Sequence, residues 1–258
     1  MSSGVLLVRD YRPGDEISCC EIVQEGTMST VNRAFVSALI REVTFQLMVL
    51  ASAIMFIFMG LPLKACLYVI PGVIVFMYLA VWGGHMFKAL EQQQDVRNVP
   101  RMYMSSENTG FWVAEVFEPF FSNGATGKLA LVNEAGLKGC GLDLTNCRRV
   151  LVGTIAVSKS KLNPEQGAWI KRLAVKNKYR HRGVGTALLN EAISFCRTSG
   201  YQEVELVTSE CQDTARELCF KQGFDLKQMY HRPVFGPLAT MTMYQLLCRL
   251  HSNQVKNL

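Results

Sequence analysis

The feature that most constrains the fold is a two-glycine turn between an apolar run and a helical pattern. Residues 170–175 are largely aliphatic, which predicts a buried strand. Gly183 and Gly185 follow, and residues 186–198 carry apolar side chains at helical spacing before Gly200, a typical C-terminal stop. A strand that turns directly into a helix leaves backbone N–H groups unpaired, and the helix dipole adds positive potential there. The sequence therefore predicts an anion site suited to a pyrophosphate.

Two motifs in order indicate the kind of domain. The turn, Arg-x-x-Gly-x-Gly from Arg180 to Gly185, lacks the third glycine of a dinucleotide fingerprint and the Gly-Lys-Ser/Thr of a P-loop. Its spacing resembles the acetyl-CoA motif of the GCN5-related N-acetyltransferase (GNAT) superfamily. Residues 215–224 resemble the superfamily's Ala-x-x-Leu-Tyr-x-x-x-Gly-Phe segment, and residues 204–207 supply the strand expected between the motifs. The resemblance implies an α+β fold, a mixed central sheet flanked by helices, with acetyl-CoA as co-substrate.

A nearly uninterrupted apolar stretch covers residues 43–82, with Lys64 as its only charge. Residues 43–63 and 65–82 are each long enough to cross, or nearly cross, a bilayer core of roughly 30 Å. Core helices of a soluble domain would normally keep a polar stripe, which these lack. Basic residues cluster at the outer ends, so the positive-inside rule places both ends in the cytosol. We therefore expect the lipid bilayer as a partner, through a transmembrane helical hairpin.

The net charge of +6 raises nucleic acid as a possible partner. The basic residues are spread over the hairpin flanks and the glycine turn, without a stripe interleaved with aromatics, so we expect no nucleic-acid binding. An anionic cytosolic leaflet explains the charge more simply. The nine cysteines have no metal-type spacing, and adjacent Cys19 and Cys20 cannot form the usual structural bridge. We therefore expect no metal and a reducing, cytosol-facing environment.

The order of the predicted elements narrows the resemblance to one family. Further strands are predicted at 5–9, 111–116, 150–157, 228–232 and 239–247, and helices at 16–26 and 32–42. Val8–Asp15, the Arg33–Arg41 segment, the apolar hairpin and Phe111–Glu115 occur together and in that order. The chain thereby resembles the camello family, which includes the cysteine-S-conjugate N-acetyltransferases and the aspartate N-acetyltransferase. The resemblance implies an endoplasmic-reticulum membrane protein whose acetyltransferase domain is interrupted near its N-terminus by the hydrophobic segment.

We divide the chain accordingly. The predicted parts are 1–42, the first strand and helices of the acetyltransferase domain; 43–84, the membrane hairpin; 85–100, a linker; and 101–258, the catalytic core, in which the glycine-rich 118–149 is a loop insertion.

The resemblance also assigns the cofactor-binding residues. The pantetheine arm of acetyl-CoA is expected to pair with the backbone of the strand before the turn, and the pyrophosphate to lie on the turn itself. The residues predicted to bind the cofactor are Leu173, Ala174, Val175, Arg180, His181, Arg182, Gly183, Val184, Gly185 and Thr186.

The catalytic groups are less strongly indicated. Cys219 stands where the superfamily commonly has the tyrosine that protonates the departing thiolate. A thiol with an ordinary pKa of about 8.5 is a better-matched donor than a phenol of about 10, although free cysteine is more often a small buried hydrophobe. Glu205 is the candidate general base, and Glu210 and His231 are alternatives. Arg172 favours an anionic acceptor if it faces the acceptor cleft; a cofactor-phosphate or surface contact is the alternative.

Three functions remain open on this reasoning. We expect a membrane-anchored N-acetyltransferase that transfers acetyl from acetyl-CoA to a primary amine, the α-amine of a small amino acid or cysteine S-conjugate. The first alternative is a protein lysine acetyltransferase at the endoplasmic reticulum. The second is a membrane scaffold that keeps the fold with little turnover, because Cys219 replaces the usual acid, and Lys171 and Arg172 stand where many superfamily members carry the basic carboxylate.

Overall fold

Eight strands form one mixed sheet in the part of the chain that the structure describes. The structure is a computed structural model, and it describes residues 4–60, 62–119, 129–132, 147–161, 163–235 and 239–250. The strands are β1 (Val5–Asp10), β2 (Gly110–Pro119), β3 (Ala130–Val132), β4 (Cys147–Lys159), β5 (Gly167–Val175), β6 (Glu203–Ser209), β7 (Asp225–Phe235) and β8 (Ala239–Arg249). Their order is β3-β1-β2-β4-β5-β6-β8-β7, with β1–β3 and β5–β6 parallel and the other pairs antiparallel.

Helices cover both faces of this sheet, which confirms the predicted mixed sheet flanked by helices. The helices are α1 (Glu16–Met28), α2 (Val31–Leu39), α3 (Glu42–Met59), α4 (Leu63–Cys66), α5 (Val69–Arg97), α6 (Val99–Tyr103), α7 (Val184–Thr198) and α8 (Asp213–Lys221). The apolar stripe of α7 packs with alternate side chains of β2 and β4 on one face. Side chains of α1, α5 and α6 form a second core on the other face. The alternation of the strands supplies both cores, because neighbouring residues of a strand point to opposite faces.

One glycine allows α7 to lie close to the sheet. A Cβ at Gly153 of β4 would come within 2.8 Å of Leu188 Cδ1, and 3.2 Å of the Ala174 carbonyl oxygen. This close approach fixes the start of α7 beside the middle of β4 and the end of β5.

Among the residues that the structure describes, two helices have the length and composition to cross a membrane, α3 and α5. In the most apolar 18-residue stretch of each helix, only 6% (α3) and 17% (α5) is buried. Their exposed large side chains include Phe45, Val49, Ile57, Phe58, Phe76 and Leu79. A pair of core helices would bury such side chains, so the apolar surface of α3 and α5 is left for another environment.

The second apolar helix is longer than its apolar run. Residues 85–100, which we predicted to be a linker, continue α5 to Arg97 and enter α6. The polar side chains of this segment, which suggested a solvated linker, form hydrogen bonds to α1 instead. Thr27 Oγ1 donates to Gln92 Oε1 at 2.8 Å, and Gln93 Nε2 donates to Gln24 Oε1 at 2.8 Å. These bonds tie the end of α5 to α1, within the sheet domain.

The predicted insertion at 118–149 is described only in part. β2 extends to Pro119, β4 begins at Cys147, and β3 runs parallel to β1 between them. The other residues of the insertion lie outside the described part of the chain.

Candidate functional site

The two parallel strands at the centre of the sheet separate halfway along their length. β5 pairs with β6 from Gly167 to Ile170, opposite Glu203 to Leu206, and the pairing ends there. Beyond that point, no described strand pairs with this edge of residues 171–175. The edge therefore presents unpaired backbone N–H and C=O groups in a gap between two strands, where an extended ligand can pair with it.

A bulge in β5 lies at the point where the gap opens. Thr154 of β4 pairs with Ala174, but Ala156 pairs with Lys171, so β5 carries one extra residue between them. Arg172 in this bulge has a φ of +56°, which is left-handed and uncommon for a residue with a Cβ. Its carbonyl accepts a hydrogen bond of 2.8 Å from Thr154 Oγ1.

The predicted anion-binding turn follows β5 directly. A 3₁₀ turn (Asn177–Tyr179) leads into it, and both His181 and Gly183 have positive φ, of +61° and +89°. The backbone N–H groups of 181–186 have no hydrogen-bond partner among the described residues. A turn with alternating backbone conformations at the start of α7 aims such groups at one point and adds the helix dipole. The predicted residues from Arg180 to Thr186 are thus brought together in one turn, whose unpaired N–H groups are available to an anion.

The arginines of the turn have different surroundings. Arg180 Nε donates to the Val175 carbonyl and its Nη2 donates to Ser29 Oγ, both at 3.0 Å, so this side chain braces the turn against α1. The Arg182 guanidinium lies over the Tyr179 ring, 5.5 Å from the centroid, and its Nη1 is buried with no partner among the described residues.

The second sequence motif meets the first. A Cβ at Gly185 would lie 3.1 Å from Leu218 Cδ2 of α8 and 3.9 Å from Val175 Cγ2. The glycine therefore allows α7, α8 and the end of β5 to meet. Leu173 and Val175 pack on the α7 side of the sheet, whereas Ala174 packs on the α1 side.

Cys219, the predicted acid, is 1% exposed in the core between α8 and the sheet. Burial raises the pKa of its thiol to about 12. No charged group is responsible for this shift, so the thiol has the environment of a small core side chain.

Glu205, the predicted base, is buried and already paired. Its Oε1 accepts from Lys227 Nζ at 2.5 Å and its Oε2 accepts from Gln245 Nε2 at 2.8 Å. Glu210, the alternative, directly follows β6, and its Oε1 accepts from Arg41 Nη2 at 3.0 Å. His231, the other alternative, is exposed on β7.

A cavity of about 490 Å³ lies beside Glu210. Its lining residues are Asn32, Arg33, Val36, Ser37, Glu210 and Cys211, from α2 and the turn after β6. The C-terminal ends of parallel strands meet at one end of a sheet, so this cavity and the predicted anion-binding turn lie at the same end. Arg33 and Arg41 were not predicted to belong to the site, because their carboxylate partners, Asp213 and Glu210, are far away along the chain.

Arg172 is the centre of a basic cluster on the α1 and α5 side. Its guanidinium forms an ion pair with Asp95, while its Nε is buried with no partner among the described residues. Half-buried Lys88 and Lys171 form no ion pair with a described residue. Burial lowers the pKa of both lysines, and the positive charges of Arg232 near Lys88 and of Lys161 near Lys171 lower them further. The positive charges of the cluster therefore outnumber the carboxylates that form ion pairs with them.

Comparison with known proteins places these features in context. Residues 99–224, which include both motifs, match the acetyltransferase (GNAT) family. The chain is 25% identical over 219 residues to N-acetyltransferase family 8 member 3 of Rattus norvegicus, covering 84% of this chain and 82% of that protein. It is 23% identical over 241 residues to N-acetyltransferase 8B of Rattus norvegicus, covering 92% and 94%. It is 24% identical over 223 residues to the protein named Probable N-acetyltransferase camello of Xenopus laevis, covering 84% of each.

Proposed function

Since the chain carries an acetyltransferase domain of the GNAT family and is an N-acetyltransferase related to the camello proteins, we propose that it transfers the acetyl group of acetyl-CoA to the α-amine of a small amino acid or cysteine S-conjugate. The observation that carries this proposal is the juxtaposition of the open β5 edge with the unpaired N–H groups of 181–186. The turn binds the pyrophosphate, and the edge pairs with the pantetheine arm, so the thioester lies near the bulge at Arg172.

The cavity beside Glu210 is the proposed entrance for the acceptor amine. It lies past the end of β6, while the cofactor turn lies past the end of β5, so an amine in the cavity faces the gap between the strands. Glu210 is the stronger candidate to accept the proton of the amine, directly or through water, because both oxygens of Glu205 are already engaged. The proton donor for the departing thiolate is solvent, since Cys219 is enclosed in the core.

The basic cluster supports an acceptor that carries a negative charge. Lys88 and Lys171 have no paired carboxylate among the described residues, and the buried Nε of Arg172 has an unused N–H. A carboxylate of an amino-acid acceptor would satisfy this N–H and offset the surplus charge. The lysine side chain of a protein substrate would bring its ammonium group without a carboxylate to offset it, which favours the small-molecule acceptor over protein lysine acetylation.

We also propose that α3 and the first part of α5 form a membrane hairpin, residues 43–84, with the catalytic parts in the cytosol and the endoplasmic reticulum as the host membrane. Their exposed apolar surface and the basic flanks support this topology. The pairing of β1 with β2 supports one catalytic domain built from 1–42 and 101–258. Because Arg41 directly precedes α3 and contacts Glu210, the acceptor cavity lies beside the hairpin, where an amphipathic acceptor with an apolar thioether tail can enter.

Release of free thiol from acetyl-CoA tests the proposal. The full-length chain in detergent micelles is assayed with S-substituted cysteines, free amino acids and lysine peptides, and each product is identified by mass spectrometry. We expect turnover with anionic small acceptors and little with peptides. Preferential acetylation of peptides would establish the protein-directed alternative. Tight acetyl-CoA binding without turnover of any acceptor would favour the scaffold.

A further inference from the structure

The C-terminal end of α5 reaches the bulge at Arg172 in β5. Asp95, two residues before the end of the helix, forms an ion pair with Arg172, and the two are 77 residues apart in the sequence. The side chain of Arg172 is 16% exposed and that of Asp95 is 38% exposed. The pair is thus partly shielded from solvent, where an ion pair is screened less than on an open surface.

Arg172 needs such support because of its backbone conformation. A left-handed φ places the Cβ of an L-residue too close to the following carbonyl oxygen, so a strand containing one tends to relax unless its surroundings hold it. Here the carbonyl is held by Thr154 Oγ1, and the guanidinium by Asp95, next to the buried Tyr103 ring. One contact thus restrains the backbone of residue 172 and the other its side chain.

The location of the bulge gives these contacts a role beyond stability. The last residue of β5 paired with β6 is Ile170, and the open edge begins at Lys171. The direction of the open edge therefore depends on the backbone at Arg172. The anion-binding turn has its own braces, from Arg180 to Val175 and from the Asn177 N–H to Glu25.

We propose that Asp95 is a positioning residue, whose ion pair keeps Arg172 left-handed and thereby aligns the open edge of β5 with the thioester. This inference rests on the proposed function and deepens it, because it makes the end of an apolar helix part of the acyl-transfer site. Loss of the pair leaves the pyrophosphate turn in place but lets the edge shift at the reacting end. Misplacement at the reacting end costs rate rather than cofactor affinity.

Kinetics of the full-length chain test the role of Asp95. Asp95→Asn keeps the shape and removes the charge. We expect kcat to fall roughly 10- to 100-fold, with the acetyl-CoA dissociation constant unchanged within about threefold. A lost acceptor contact would instead raise the acceptor KM at constant kcat. Glu203→Gln is the matched control, because it removes the ion pair between half-buried Glu203 and exposed Arg249, 3.9 Å long, at the other end of β6.

Substitution at residue 172 separates backbone geometry from charge. Glycine adopts a left-handed φ without strain and alanine does not, so Arg172→Gly should retain more kcat than Arg172→Ala. In a regular strand the order would be reversed, because glycine weakens a strand. An unchanged kcat for Asp95→Asn, or Arg172→Ala equal to or better than Arg172→Gly, would overturn the proposal.

Hydrogen exchange gives a readout that does not depend on turnover. Asp95→Asn should speed amide exchange in a peptide covering 171–175, while exchange in the core of α7 stays as in the parent. Unchanged exchange at 171–175 would refute the positioning role even if no acceptor were found. Failure of the proposed function itself would appear differently, as a parent chain that neither binds acetyl-CoA nor releases thiol with any acceptor.

Discussion

Replacing Gly183 with alanine should weaken acetyl-CoA binding through the backbone alone. Gly183 has a φ of +89° at the start of α7, and a Cβ built there meets nothing within 4 Å. The added methyl group therefore neither collides with the protein nor fills a space. Its only direct effect is to make the left-handed conformation unfavourable.

The size of the effect follows from this strain. A left-handed conformation costs an L-residue roughly 1–2 kcal/mol relative to glycine. Because no packing contact holds the new methyl group, the turn in the free protein can relax and aim its N–H groups elsewhere. Binding must then restore the original conformation, so the dissociation constant of acetyl-CoA should rise about 5- to 30-fold, at about 1.4 kcal/mol per tenfold. Gly183→Asn should recover part of the loss, because asparagine tolerates this region better.

Calorimetric titration of acetyl-CoA into the full-length chain measures the change, and thermal unfolding is followed in parallel. Gly200→Ala is the matched control: Gly200 has a φ of +79° beyond the other end of α7, also with nothing within 4 Å of a Cβ. The control should lose stability to a similar extent and keep its affinity. If Gly183→Ala bound acetyl-CoA within about twofold of the parent, the turn would not be the phosphate site.

Three further predictions concern the core, acid stability and topology. Cys219→Ala should leave kcat unchanged and lower the melting temperature; a fall in kcat of roughly 10²- to 10⁴-fold would identify the thiol as a catalytic acid. Burial acts to raise the pKa of Asp15, but the hydrogen bonds and charge of Arg9 outweigh it and hold that pKa below its ordinary value. The stabilisation is therefore present above the unfolded-state pKa of about 3.9 and is lost as the pH falls through the lower folded-state pKa. Asp15→Asn should accordingly reduce the free energy of unfolding in urea at pH 7 and flatten its fall under acid conditions, and an equal pH dependence in parent and variant would contradict this. Protease treatment of sealed microsomes should digest the catalytic domain, whereas its protection would place it in the lumen.

Periodicity and glycine placement were sufficient to predict much of the fold. The strand around 170–175 and the helix from 186 were predicted because a buried strand and an amphipathic helix have different periods, and two glycines separate them. The structure confirms both elements as β5 and α7. The GNAT resemblance drawn from Arg180–Gly185 and residues 215–224 is confirmed by the family match.

The site could be predicted only where it is local in sequence. The left-handed φ of Arg172 has no compositional signature, because it arises from the register between β4 and β5. The continuation of α5 past residue 85 was missed because Gln92 and Gln93 are polar, which suggested a solvent-exposed linker. Their hydrogen-bond partners lie on α1, far away in the sequence. The pairing of Glu205 with Lys227 and Gln245 depends on strand order, which alternation within each strand does not determine.

The two ends of the apolar helix pair contact the two strands that separate at the site. Arg41, just before α3, donates to Glu210 at the end of β6, and Asp95, near the end of α5, pairs with Arg172 in β5. A rigid shift of these helices would therefore move charges on both sides of the gap together. Such coupling is absent when an anchor is joined through a flexible linker, because a flexible chain transmits little orientation. The helical continuation of α5 into the sheet domain supplies the stiffness that a flexible linker would lack. The surroundings of the apolar helices should therefore influence kcat, and not only where the protein resides in the cell.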